Sequence, residues 1–184
     1  MTAAVVAIVV GSMAVGCGSS SGTRAAATTG APTVASTSSA PWNRARAEAE
    51  VRAAYQNFRV KLRELTFHPD PRSTALGEVW AGSLEAAVRS KQRDNVSRGL
   101  SGRAGVATRW RVQRLVLVSN RRAHVIDCQV NADVVLKHGT VVDASTNTYE
   151  TDLEFARGTD GRWRLINAEP ISKTKGVAGC ALSD

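Results

Sequence analysis

Metal, redox and phosphate chemistry have little to work with in this chain. Its three histidines, His68, His124 and His138, are too dispersed to read as a metal site. Its three cysteines, Cys17, Cys128 and Cys180, have neither zinc-ligand nor Cys-x-x-Cys spacing. There is no Gly-x-Ser-x-Gly elbow, no His-Glu-x-x-His pair, no glycine-rich phosphate loop and no calcium loop. The enzyme classes that announce themselves by those motifs are set aside, and no metal or cofactor is expected. Aromatic residues make up only 5% of the chain and no nucleic-acid-binding motif is present, so nucleic acid is not an expected partner. The apolar opening run is shorter than the roughly 20 residues that a membrane-spanning helix needs.

What the chain does have is a cysteine in a telling place. Residues 1–16 are uncharged and mostly apolar, end in Ala14-Val-Gly16, and lead into Cys17 and then Gly18-Ser-Ser-Ser-Gly22. This is the layout of a bacterial lipoprotein signal: an apolar segment, small residues before the cleavage point, then a cysteine whose thiol takes a lipid such as palmitate. Residues 1–16 are therefore expected to be a signal peptide. Cys17 would be the lipidated first residue, mooring the protein to the outer side of the cell membrane. No Lys or Arg precedes the run, and Ala14 stands where such signals usually carry Leu. A signal normally opens with positive charge, which puts the expected translation start upstream of Met1, and a plain secretory signal or a short anchor is the alternative reading.

The cysteine count fits export. Lipidation of Cys17 would leave Cys128 and Cys180 as a natural disulfide pair outside the reducing cytosol. Closing that loop would remove about 4 kcal/mol of unfolded-state entropy. The alternative is one buried free cysteine and one loose tail cysteine. Between the lipid site and the domain, residues 17–41 form a Ser/Thr/Ala/Gly-rich tether whose one charge is Arg24. As a flexible coil it would span about 27 Å.

Residues 42–184 have the length of one domain with its own core. The formal charge of +8 is uneven. Arg89, Lys91, Arg93, Arg98, Arg103, Arg109, Arg111, Arg114, Arg121 and Arg122 face Asp94 alone, whereas acids exceed bases from Ala123 onward. Such asymmetry suits anionic lipids or envelope proteins as partners. A solvated Arg-rich surface with no partner is the plainer reading.

The periodicity predicts α+β architecture. Over residues 42–66, Val51, Ala54, Tyr55, Phe58, Leu62 and Leu65 recur every three or four residues on one helical stripe. Pro41 suits the first helical position and Glu48 can pair with Arg52. His68-Pro69-Asp70-Pro71 ends the helix. A second helix is expected from about Thr74 to Asn95, with Leu76, Val79, Trp80, Leu84, Ala87 and Val88 as its stripe. Gly99, Gly102 and Gly105 mark a loop. Four long antiparallel strands follow. The first places Trp110, Val112, Val116 and Val118 on one side. The second places His124, Ile126, Cys128, Val130, Ala132 and Val134 on the buried face, with Asp127, Gln129, Asn131 and Asp133 opposite. The third runs from Val141 to Phe155, and the fourth is Arg162–Asn167 after the Thr159-Asp-Gly161 turn. Helices followed by strands imply two N-terminal helices packed on a curved four-stranded antiparallel sheet.

That order, the Asp160-Gly-Arg-Trp163-Arg-Leu165 hairpin and the Gly77-Glu-Val-Trp80 stretch resemble the nuclear transport factor 2-like superfamily over residues 42–172. The resemblance implies a sheet curled into a cone closed by helices. It also implies dimerisation through the outer sheet face, so a homodimer is an expected partner arrangement. A lipid-anchored domain with paired cysteines further resembles small actinobacterial envelope lipoproteins and, distantly, mammalian-cell-entry-associated proteins. Those associated proteins usually carry a transmembrane helix.

Enzymes of the cone fold need a carboxylate base facing hydrogen-bond donors. The candidate pocket residues are Tyr55, Trp110, Arg114, His124, Asp143, Asn147, Tyr149 and Trp163, none of which matches a known base. The tyrosines and tryptophans read equally well as core, His124 as a rim residue, and Arg114 as the mark of a bulge. The leading expectation is a non-enzymatic, lipid-anchored envelope protein that binds a small apolar ligand or an envelope partner, in an accessory complex or in lipid transport. The alternatives are a small isomerase, cyclase or dehydratase-like enzyme, or an interaction module using the basic stretch.

Overall fold

The computed structural model describes residues 42–179, and the compact unit begins at Asn43. Cys17, the tether and Cys180 lie outside the described residues.

Helix α1 spans Arg44–Phe67. It starts at an asparagine cap: the Asn43 side chain accepts a hydrogen bond from the Arg46 amide at 3.0 Å, and Pro41 lies outside the described residues. Glu48 pairs with Arg44 rather than Arg52, and Glu50 pairs with Arg46 one turn on. The apolar stripe is as the spacing predicts, with Val51, Tyr55, Phe58 and Leu65 buried, and Arg59 is buried beside them.

The second expected helix is two. Helix α2 spans Ala75–Val79 and α3 spans Gly82–Ser97. Between them Trp80 bridges in parallel to Leu165, and the Ala81 amide donates to the Leu165 carbonyl at 3.0 Å. Gly82 takes φ 65°, which restarts the helix in a new direction.

Among the described residues seven strands replace the expected four. They are β1 (Leu100–Arg103), β2 (Arg109–Ser119), β3 (Arg122–Asn131), β4 (Val134–Lys137), β5 (Thr140–Asp143), β6 (Asn147–Arg157) and β7 (Trp163–Lys175). They form two antiparallel sheets, ordered β1-β4-β5 and β2-β3-β6-β7. The glycine segment read as a loop supplies β1. Gly102 is there because α1 lies so close: a Cβ at that position would sit 2.9 Å from Phe67 Cδ1. Asp133 makes the break between β3 and β4. Its carboxylate takes two bonds from Arg63, one from the Gly105 amide and one from the Thr108 hydroxyl.

Two face assignments change. On β3, the residues facing the helices are Ala123, Val125, Asp127 and Gln129, paired in register with Phe155, Leu153, Thr151 and Tyr149. His124, Ile126, Cys128 and Val130 lie on the outer face, the reverse of the expected parity. On β2, an extra residue between Val112 and Arg114 shifts the alternation. Trp110, Val112, Leu115 and Leu117 then face inward, leaving Val116 and Val118 exposed.

The core lies between α1, α2, α3 and the inner face of the larger sheet. Phe58 stands at its centre, its ring 5.9 Å from Trp80, 6.4 Å from Tyr55 and 6.5 Å from Phe155. Leu76, Leu153, Leu165, Val51 and Val125 complete it. No helix among the described residues is long and apolar enough to cross a membrane.

Candidate functional site

The polar centre of the interior is built from two elements with matching periods. Tyr55 and Arg59, four residues apart, share the buried face of α1. Asp127 and Gln129, two apart, share the inner face of β3. The Tyr55 hydroxyl donates to Asp127 Oδ1, and Arg59 Nη2 forms an ion pair with Asp127 Oδ2. Arg59 Nη1 donates to Gln129 Oε1 at 2.9 Å. The guanidinium also lies over the Phe58 ring, 4.9 Å from its centroid, and 5.6 Å from that of Tyr55.

This cluster is dry: Arg59 is 4% exposed and Tyr55 and Asp127 are 0% exposed. Burial pushes the Tyr55 phenol above its ordinary value, so it stays protonated and remains a donor. Burial pulls the Arg59 guanidinium below its ordinary value, against a smaller opposing effect of Tyr55. The Asp127 carboxylate thus faces Tyr55 through one oxygen and Arg59 through the other. Arg59 Nε is left without a hydrogen-bond partner among the described residues.

Only part of the expected pocket converges. Trp110, Gln129, Tyr149 and Lys173 form one row across the inner face at the wide end of the sheet. Trp110 Nε1 reaches Gln56 Oε1 at 3.4 Å, and the Lys173 ammonium stands 5.5 Å from the Tyr149 ring centroid. Tyr55 joins this end through Asp127. The remaining candidates do not. Arg114 is exposed on the outer face, put there by the bulge. His124 is also on the outer face, its Nδ1 3.0 Å from Asp152 Oδ1. Asp143 sits on the smaller sheet. The Ser145 amide bonded to it at 2.8 Å, with the Ser145 side chain and the Lys173 charge, holds its carboxyl below the usual range. Asn147 donates to Ser145 Oγ at 3.1 Å at the junction between sheets. Trp163 is core at the opposite end, its Nε1 3.3 Å from Glu50 Oε2.

A shallow open groove of about 410 Å³ lies beside Trp163, floored by Ala53 and Ala54 and edged by Glu50, Glu78 and Arg162. Burial raises Glu50. The bonds from Arg46 and Trp163 and the charge of Arg157 outweigh it and hold the carboxyl below the usual range. Among the described residues no group of His, Cys, Asp and Glu could hold a metal ion.

The expected basic stretch is scattered. Arg89, Lys91 and Arg93 ride on α3 and Arg98 caps its C-terminus; Glu85 and Asp94 pair three of these four, and Arg122 pairs with Glu154. Arg109, Arg111 and Arg114 share the outer face of β2. Sequence reading missed Arg59, Asp127 and Gln129. The available signals were an arginine adjoining a helical apolar stripe and a lone aspartate amid the β-branched residues of β3.

No known protein family and no curated protein matches the chain. Solved structures similar to it include the following three. The intermembrane-space region of the chloroplast protein ARC6 matches with TM-score 0.54 and 20% identity, over 71% of this chain and 98% of that one. A type 2 hexachlorocyclohexane dehydrochlorinase, LinA, gives 0.44 and 14%, over 76% and 97%. A protein from Catenulispora acidiphila gives 0.38 and 15%, over 68% and 91%. A shared fold does not fix a function, so function has to be argued from the site. The likeness to the ARC6 region, at 20% identity, shows a shared fold of helices packed against antiparallel sheet.

Proposed function

We propose that this protein is a lipid-anchored envelope component whose cone domain is a non-catalytic binding module for an envelope partner. One observation carries the non-catalytic reading. The carboxylate inside the cone, Asp127, is locked between Arg59 and Tyr55 under an aromatic core, and is not poised toward open space. A general base must reach the proton it removes, and both oxygens of this one are already occupied. The anchor rests on the run before Cys17.

The test is metabolic. In a host grown with an alkyne-bearing fatty acid, the wild-type chain should take the label and sediment with membranes. The Cys17→Ser chain should be unlabelled and released. An unlabelled wild type, or label retained in Cys17→Ser, overturns the anchor.

A second reading, proton transfer within the cone, is favoured by the contact between a buried carboxylate and a phenol. It requires Asp127 to release Arg59 when substrate enters. Under that reading, Asp127→Asn would abolish turnover of a bound carbonyl compound while leaving its binding intact.

A further inference from the structure

The two edges of the larger sheet are built differently. β7 carries Pro170, and its register against β6 shifts between Glu150 and Thr151 and again between Glu154 and Phe155. Trp80 also bridges to it at Leu165. Proline and irregularities of that kind keep a further strand from adding to an edge. β2 is the other edge, pairing with β3 alone among the described residues. It has no proline, and it keeps two regular stretches, Arg109–Val112 and Arg114–Leu117, either side of the extra residue Gln113. Its inward side chains are incompletely covered, since Trp110, Val112 and Leu115 are only partly buried against the core. A strand laid along this edge would complete their burial and pair the outward backbone groups of β2.

Charge decides what kind of strand fits. β2 has three arginines and no acid. Arg109 and Arg114 are exposed on its outer face, opposite Val130 and Ile126 of β3, with no ion-pair partner among the described residues. Pairing β2 with β2 of a second copy would gather both sets of arginines on one short stretch of sheet, where like charges repel. An acidic strand would meet the same column with attraction. Alternate residues of a strand face opposite ways, so its acids fall at every second position, beside the arginines. The positions between them fall beside Trp110, Val112 and Leu115 and call for apolar side chains.

We propose that the edge of β2 binds an extended segment of an envelope partner whose side chains alternate acidic and apolar, added to the sheet as a further strand. The edge supplies the partner for the binding module proposed above and rests on that reading, and the two fail separately. Peptide binding in solution needs neither lipid nor membrane. A chain that binds the peptide without taking an acyl label overturns the anchor alone, and a labelled chain that ignores the peptide overturns the edge alone.

The experiment uses full-length protein and the synthetic probe acetyl-Glu-Val-Glu-Val-Glu-Val-Glu-Val-amide, with binding read by calorimetry at low salt. Wild type should bind it and should not bind the form with lysine in place of every glutamate. No binding of the acidic probe, or equal binding of both, overturns acid recognition. The double variant Arg109→Glu/Arg114→Glu, its fold checked by circular dichroism, should bind the acidic probe about tenfold more weakly and take up the lysine form instead. A folded variant that keeps the acidic probe overturns the site. Strand addition has its own readout. Methylating the backbone nitrogens along one edge of the probe should abolish binding, whereas methylating those of the opposite edge should leave it intact. Methylated forms that behave alike overturn the added strand.

Discussion

Asp127 and Arg59 meet where water cannot reach, and that decides what each is worth. Taking two charges out of water costs several kcal/mol per ion, which a contact pair only about repays. Removing one partner is different, because the other charge is then stranded. Asp127→Asn should therefore cost about 3–5 kcal/mol in urea denaturation. The double variant Arg59→Met/Asp127→Leu should recover only part of that loss, since it removes the stranded charge but leaves the Tyr55 hydroxyl without its acceptor. If the single variant is neutral, the pair does not hold α1 to the sheet. Asp160 shows the exposed counterpart. The bonds from the Arg164 side chain and the Arg162 amide lower its pKa from 3.8 to about 2. A depressed carboxylate contributes its stabilisation above the unfolded value and loses it as pH falls through the folded one. Titration of Asp160 by NMR should give a midpoint near 2, and Arg164→Ala should move it back toward 3.8. A wild-type midpoint already at 3.8 would rule the clamp out.

Elements show why some of this was legible in the sequence and some was not. Helix α1, the alternation of β6, and the turns at His138-Gly139 and Asp160-Gly161 follow from local rules, and the structure keeps them. The parity of β3 could not be read that way. Alternation reveals that a strand has two faces, and the more polar one is normally taken as outward. Here Asp127 and Gln129 face inward because Tyr55 and Arg59, on a helix distant in sequence, satisfy them. The split of the second helix was hidden for the same reason, since β7 supplies the hydrogen bond that makes the break at Trp80 and Ala81 favourable. The glycine segment concealed β1, where the signal for a loop was a requirement for close approach. Gly102→Ala should drive a methyl group into Phe67 and Thr66 of α1. It should cost about 1–3 kcal/mol, as overpacking does, with the thermal midpoint as the measure. A midpoint equal to wild type would mean that α1 yields freely.

On the scale of the whole molecule, charge and topology matter most. The Arg-rich stretch that reads as one patch in the sequence is distributed over α3, β1, the outer face of β2 and the turn before β3, and several of its members are already paired with acids. Exposed pairs and scattered charges are strongly screened by salt. Protein with Cys17 changed to Ser should therefore bind phosphatidylglycerol vesicles only at low ionic strength and release them at physiological salt. Retention at that salt would restore the idea of a single basic patch. The interior candidate was legible only in part, because its residues are brought together by tertiary contacts that no local window contains.

The bridge from Trp80 to Leu165 reaches beyond the static fold. A chain emerging amino terminus first makes residues 75–97 long before β7 exists, and in that interval the Ala81 amide lacks the Leu165 carbonyl that holds it out of a continuous helix. The corner can set only when the final hairpin is complete. Vectorial synthesis therefore produces the helical half early and leaves its shape to the last strand, so a nascent chain stalled before Trp163 would carry one straight rod where the finished protein has a bend.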